Sequence, residues 1–334
     1  MIHFSFLTAR LPGALVCILI ALAATFLSAH YGGPQLLYAL LIGLAFHFLI
    51  GKRGIKPGVD FCGRTLLRIG VALLGARITL GQVAKLGVAS AMTIMLAVAL
   101  TIGFGLLLAK WLKRPPEEGL LSGGAVAICG ASAALALSSV LPQTRENERF
   151  TLLAVVGVTV LSTLSMVSYP FALKLMGLPP GQAGIFLGGT IHDVAQVVAA
   201  GMMLGPEVGD TATVVKLFRV ILLMPIVLLV AVRYRSHPAA RTAEEEVPLV
   251  PGFLLAFIVL VLLSSMGAFS PALSQLAGDA SRWLLVTAIA AAGIKTSFED
   301  LLKLGWQPVA MLLAETVFIA ALVLAGVLAL RLGL

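Results

Sequence analysis

The chain reads as a succession of long apolar runs separated by short polar or basic stretches. About eleven runs near 20 residues each can be marked, a length that spans a bilayer as α-helix. They cover Leu11–Ala29, Pro34–Ile50, Val59–Ala76, Gly87–Leu108, Leu120–Leu141, Phe150–Leu173, Gly181–Met203, Ala212–Val232, Pro251–Met266, Arg282–Ile294 and Gln307–Leu330. The third is less apolar than the rest and carries Arg64 and Arg68, four apart, read as marking a helix end. The runs are too long and uniform for barrel strands. In lipid they must satisfy their own backbone hydrogen bonds, which makes them helices. The expected fold class is all-α: a polytopic membrane protein with about 10–11 transmembrane helices, taken as one integral domain over residues 1–334. The first run could pass for a signal peptide. No good small-x-small cleavage site precedes His30 and many spans follow, so it is read as the first membrane helix.

Polar positions give the orientation. Lys52, Arg53 and Lys56 follow the second run, Lys110, Lys113 and Arg114 the fourth, Arg233 and Arg235 the eighth, and Lys295 the tenth. Basic loops stay in the cytoplasm, which places the N-terminus inside and the C-terminus outside. In an eleven-span count, the loops holding Arg145 and Arg77/Lys85 fall on the wrong side.

Composition supports this class. The 334 residues are 60% hydrophobic and only 11% charged, and 34 are glycine; small residues let helices approach closely in lipid. The net charge is +8, and most Lys and Arg sit at helix ends, where anionic lipid explains them better than nucleic acid does. The three cysteines, Cys17, Cys62 and Cys129, have no metal-site or disulfide-framework spacing. No nucleotide-binding motif occurs, and no cofactor is expected.

One internal repeat is visible. Residues 65–87 align without gaps on 283–305. Gly75 meets Gly293, Arg77 meets Lys295, and Lys85-Leu86-Gly87 meets Lys303-Leu304-Gly305. In the eleven-span count the copies are seven spans apart, an odd offset that inverts them, the pattern of inverted-repeat carriers.

The candidate chemistry lies in four places. Gly188-Gly189-Thr190-Ile191-His192-Asp193-Val194-Ala195-Gln196 sits mid-run, with Asp193 roughly 18 Å along it at 1.5 Å per residue. A lone Asp there costs about 2.5–3.5 kcal/mol on the insertion scale, so His192, Asp193 and Gln196 must face protein or water. They read as a proton or cation site, or as a hydrogen-bonded knot between helices. Lys216 and Arg219 share a face of the eighth run, as an anion clamp, an ion pair with Asp193, or a snorkelling cation. The fifth run is rich in Gly and Ala around Cys129, Gly130 and Ser132, and the seventh begins with Gly188-Gly189 before Thr190. Both look like helices that break halfway; a break exposes backbone N–H groups that favour an anion. Glu315, beside Thr316, is a second coupling candidate or a partner for Arg68 or Lys295.

The runs AICGASAA, GGTIHDVAQVVAAG, KLFRV, GVALLGARITL and AAGIKTSF together resemble the YeiH-type sulfate-exporter family of bacterial inner-membrane proteins, over nearly the whole chain. That family is similar to the wider group of bile-acid, arsenite and auxin carriers and cation–proton antiporters. The resemblance implies inverted repeats with crossing broken helices and a multi-pass secondary transporter in the cell inner membrane. Its expected partners are the lipid bilayer, a small anion such as sulfate, a sulfonate or a carboxylate, and a coupling proton or sodium ion. A homodimer stays open, and nucleic acid is not expected. Lys216, Arg219, Cys129, Gly130, Ser132 and Thr190 are the substrate-binding candidates; His192, Asp193, Gln196 and Glu315 are the coupling candidates. A passive channel or scaffold is the alternative. A hydrolase built on Ser132 and His192 lacks the motif context of a nucleophile and a third orienting group, so no enzyme is expected.

Overall fold

The computed structural model describes residues 2–32, 34–52, 54–76, 78–84, 86–142, 144–234, 252–297 and 306–332. Arg53, Arg77, Lys85, Arg235 and the second repeat copy's Lys303-Leu304-Gly305 lie outside them. Among the described residues the secondary structure is helical throughout. The chain divides into two compact units, 1–85 with 251–297, and 86–250 with 298–334.

The first unit holds α1 (Ile2–Tyr31), α2 (Gln35–Ala45), α3 (Ile55–Phe61), α4 (Leu67–Leu74), α5 (Leu80–Ala84), α13 (Gly252–Ser265) and α14 (Pro271–Lys295). A π-turn over Cys62–Leu66 joins α3 to α4, so the third apolar run is one helix with a bulge. The two repeat copies, as far as they are described, pack on each other: a Cβ on Gly70 of α4 would lie 3.1–3.2 Å from the Leu284 and Leu285 side chains of α14. Their matched glycines do the same work. A Cβ on Gly75 would press on the Phe257 carbonyl of α13, and one on Gly293 would press on the Leu40 carbonyl of α2.

The second unit holds α6 (Gly87–Trp111), α7 (Pro116–Ala127), α8 (Ala131–Val140), α9 (Arg145–Met176), α10 (Pro180–Thr190), α11 (Val194–Leu204), α12 (Pro206–Tyr234) and α15 (Trp306–Leu332). Helices α6, α9, α12 and α15 are each long and apolar enough to cross a membrane, as is Arg10–Tyr31 of α1 in the first unit.

The fifth and seventh runs break where their sequence suggests, yet their halves do not continue across a membrane. They fold back. In α7–α8 a Cβ on Gly124 would collide with the Leu137 side chain, thirteen residues on. A straight helix would hold those positions about 20 Å apart. In α10–α11, Cβ atoms on both Gly184 and Gly201 would lie near the Val208 carbonyl, at 3.0 and 3.2 Å. The two runs are re-entrant hairpins, with tips at Ile128–Gly130 and Ile191–Asp193.

The hairpins enter from opposite ends of this unit. Lys113, Arg114, Glu118, Glu146, Arg149 and Gln307 line one cavity, which brings the end of α6 and the starts of α7, α9 and α15 together. The first hairpin therefore starts and finishes at that end. The short links from α9 to α10 and from α11 to α12 put the second hairpin at the other. This corrects the eleven-span count in its fifth and seventh members. It also moves Arg145 to the same end as Lys113 and Arg114, which removes one misplaced basic loop.

Candidate functional site

The first tip turns at Gly130, with φ 64° and ψ −126°, a conformation that an L side chain rarely adopts. The second needs no glycine: Ile191 and Asp193 are extended, with φ −63° and −97°. The tips touch, because a Cβ on Gly130 would lie 3.4 Å from His192 Cβ.

Each tip leaves carbonyls at the end of one half-helix and N–H groups at the start of the next. Two α12 side chains occupy the carbonyl ends of both. Arg219 donates from Nε to Ala127 O at 2.8 Å and from Nη2 to Val126 O at 2.8 Å. Its Nη1 donates to Gly188 O and Ile191 O, each at 3.1 Å. Lys216 Nζ donates to Ile128 O at 2.6 Å and Ile191 O at 2.9 Å. Both side chains are fully buried. Burying each cation costs several kcal/mol. Six charge-assisted bonds at about 1.5–3 kcal/mol each are of the size needed to offset it. Two helix C-termini, each near −0.5 charge, add to the attraction.

Asp193 is the N-cap of α11. Its Oδ1 accepts from the backbone N–H groups of Ala195 at 2.8 Å and Gln196 at 3.3 Å. Its own N–H donates to Ser162 Oγ of α9 at 3.0 Å. Gln196 Nε2 donates to Thr163 Oγ1 at 2.8 Å. The second tip is thus tied to α9 by two adjacent hydroxyls.

His192 is fully buried, with Nε2 3.1 Å from Thr316 Oγ1 of α15. The Thr316 hydroxyl has one proton and gives it to Leu312 O at 2.7 Å, so the imidazole Nε2 is the donor. His192 Nδ1 is buried without a hydrogen-bond partner. One residue along α15, the fully buried Glu315 accepts from Ser122 Oγ of α7 through Oε1 at 2.7 Å, while Oε2 is buried without a partner. Lys295, considered as a partner for Glu315, pairs instead with Asp60 at 2.7 Å.

The remaining candidates separate by exposure. Cys129 is buried in the first tip, and the buried Thr190 spends its hydroxyl on Phe186 O of its own helix at 2.7 Å. Ser132, in the first turn of α8, is exposed. The α8 N-cap, Gly130, provides no side-chain cap. The structure therefore brings His192, Asp193, Gln196, Lys216, Arg219, Cys129 and Gly130 to one place, and Glu315 joins them through its neighbour Thr316. His192 bonds to Thr316 of α15, and Ser132, the partner that the disfavoured hydrolase alternative would need, lies exposed on α8. Ser122, Ser162 and Thr163 are site residues that the sequence does not single out, since a hydroxyl in an apolar helix usually bonds its own backbone.

The family model described as conserved hypothetical protein 698 matches residues 12–312. UPF0324 membrane protein CT0845 of Chlorobaculum tepidum is 49% identical over 317 residues, 95% of this chain and 88% of the relative. UPF0324 membrane protein TauZ of Paracoccus denitrificans is 49% identical over 321 residues, 95% of each chain. UPF0324 membrane protein Cgl0015/cg0018 of Corynebacterium glutamicum is 32% identical over 324 residues, 96% of this chain and 93% of the relative. No solved structure matches the chain.

Proposed function

The chain belongs to the family described as conserved hypothetical protein 698, the YeiH family, and on that footing we propose that it is a secondary carrier for a small anion. One observation carries this reading: two re-entrant hairpins from opposite ends of the second unit meet tip to tip around buried polar side chains. Half-helix ends meeting at mid-depth are how carriers place a substrate between two alternating entrances.

The charge of the anion follows from which helix end is left over. The carbonyl ends of α7 and α10 are taken by Arg219 and Lys216, and the N-terminus of α11 is capped by Asp193. Among the described residues, the N-terminus of α8 is the tip end without a side-chain cap. Its N–H groups favour an anion, with the Ser132 hydroxyl beside them. Sulfate, a sulfonate or a carboxylate suits such a seat. Cys129 and Gly130 precede it in the same tip, and Lys216 and Arg219 hold the tips instead of clasping the substrate. His192 and Glu315, each with a buried unpartnered atom, are the residues assigned to ion coupling. The setting is the cell inner membrane.

The test is anion flux in proteoliposomes. Ser132→Asp puts a carboxylate at the α8 N-terminus, where it stabilises a helix by about 0.3–1 kcal/mol and competes with a bound anion. The variant is expected to melt no lower than the wild type and to lose sulfate flux, while Ser132→Thr keeps it. Wild-type flux from Ser132→Asp would remove the anion from this seat. No flux of sulfate, sulfonates or carboxylates by the folded wild type would overturn the carrier reading.

A further inference from the structure

The cations at the hairpin tips belong to the chain itself. Five carbonyl oxygens, those of Val126, Ala127, Ile128, Gly188 and Ile191, converge from the last turns of α7 and α10. In carriers built on discontinuous helices, unwound carbonyls and half-helix C-termini are the ligands of a coupling Na⁺. Here the Lys216 ammonium and the Arg219 guanidinium stand at those oxygens, both without solvent exposure. We propose that these two side chains are a built-in substitute for a bound alkali cation, so that this carrier assembles its tips and transports without Na⁺. The inference rests on the carrier reading for its transport half and on the tip geometry alone for its binding half.

The chemistry is a replacement of ligands. Two half-helix ends together present about one negative charge, and the Asp193 carboxylate near Lys216 adds another, set against the two cations. An alkali ion in that place would arrive from solution and leave again, coupling its gradient to movement of the tips. A lysine cannot leave. Its ammonium bridges the two hairpins directly, through Ile128 O on one and Ile191 O on the other. Arg219 spans both as well, through Ala127 and Val126 on the first and Gly188 and Ile191 on the second. Other charged or titratable groups at this place are Asp193 on the second tip, His192 beside it and Cys129 on the first. Asp193 is engaged with the α11 backbone and so does not take the place of the carbonyls.

Removing the ammonium makes the substitution visible. Lys216→Ala leaves the Ile128 carbonyl without its donor, leaves the Ile191 carbonyl with Arg219 Nη1 alone, and opens a space in which an ion can sit. Lys216→Met removes the charge but fills the space. The probes are Li⁺, Na⁺ and K⁺ against choline at constant ionic strength, read as thermal stability of the purified protein without any substrate. The wild type is expected to melt within about 1 °C in all four salts. Lys216→Ala is expected to melt lower in choline and to rise saturably with one alkali cation, by roughly 5 °C when the ion exceeds its Kd a hundredfold. Lys216→Met is expected to melt lower in every salt without that rise. A saturable Na⁺-dependent rise in the wild type overturns the proposal, as does folded Lys216→Ala that responds to none of the three ions. If Lys216→Ala cannot be purified in any salt, the wild-type comparison decides alone. Because no substrate is present, failure here leaves the anion-carrier reading standing. Absence of anion flux, in turn, leaves the binding result intact.

Discussion

The ammonium of Lys216 donates to the carbonyl of Ile128 at 2.6 Å, across 88 residues of chain. That bond ties the long helix α12 to the tip of a hairpin that starts at the opposite end of the unit from α12 itself. It also settles what the end of α7 is doing: a helix that stops in an apolar surrounding needs a donor for its last carbonyls.

The hairpin packing depends on missing side chains. A Cβ on Gly201 would lie 2.6 Å from Gly209 Cα, a backbone atom that cannot swing away. Gly201→Ala is expected to lower stability by about 1–3 kcal/mol, seen as a drop of several degrees in melting temperature. Gly181→Ala, with nothing within 4 Å of its Cβ, is expected to stay within about 0.5 kcal/mol of the wild type.

Re-entry predicts sidedness. In a protein lacking its three cysteines, Lys113→Cys and Glu146→Cys are expected to react with an impermeant maleimide from the same side of the membrane. Gly177→Cys and Gly205→Cys are expected to react from the other side. A crossing fifth run would place positions 113 and 146 on opposite sides, so split labelling of that pair would refute the hairpin.

Asp193 separates capping from charge. As an N-cap it accepts two backbone N–H groups, and Asn does this about as well. Asp193→Ala is expected to cost about 0.5–2 kcal/mol in stability, while Asp193→Asn melts near the wild type and keeps anion flux. An Asn variant that is stable yet inactive would assign the carboxylate charge a part in transport.

Glu315 and Ser122 form a buried pair in which the hydroxyl is the carboxyl's donor. Ser122→Ala leaves the carboxyl with neither oxygen bonded to a side-chain hydroxyl and is expected to cost about 1–3 kcal/mol. Glu315→Gln is expected to retain anion exchange between equal pools and to lose acceleration by an imposed pH step. Equal acceleration in wild type and variant would take Glu315 out of ion coupling.

Much of the fold is legible in the sequence. The apolar runs determine an all-helical membrane protein, because a lipid-exposed backbone must bond to itself. The small-residue stretch around Gly130 and the polar cluster at His192-Asp193 mark both breaks, since neither suits the middle of a membrane helix. The match of 65–87 with 283–305 is equally a property of the letters. Only the tertiary structure decided the direction taken after each break. An apolar run has the same local pattern whether it crosses or turns back, and the choice rests on contacts between residues distant along the chain. Leu137 lies against Gly124, and Gly209 against Gly201. The roles of the charged residues were decided the same way. Nothing in the spacing of Lys216 and Arg219 says that their partners are backbone carbonyls of two other helices, because every residue carries a carbonyl and only its position at a helix end leaves it unpaired.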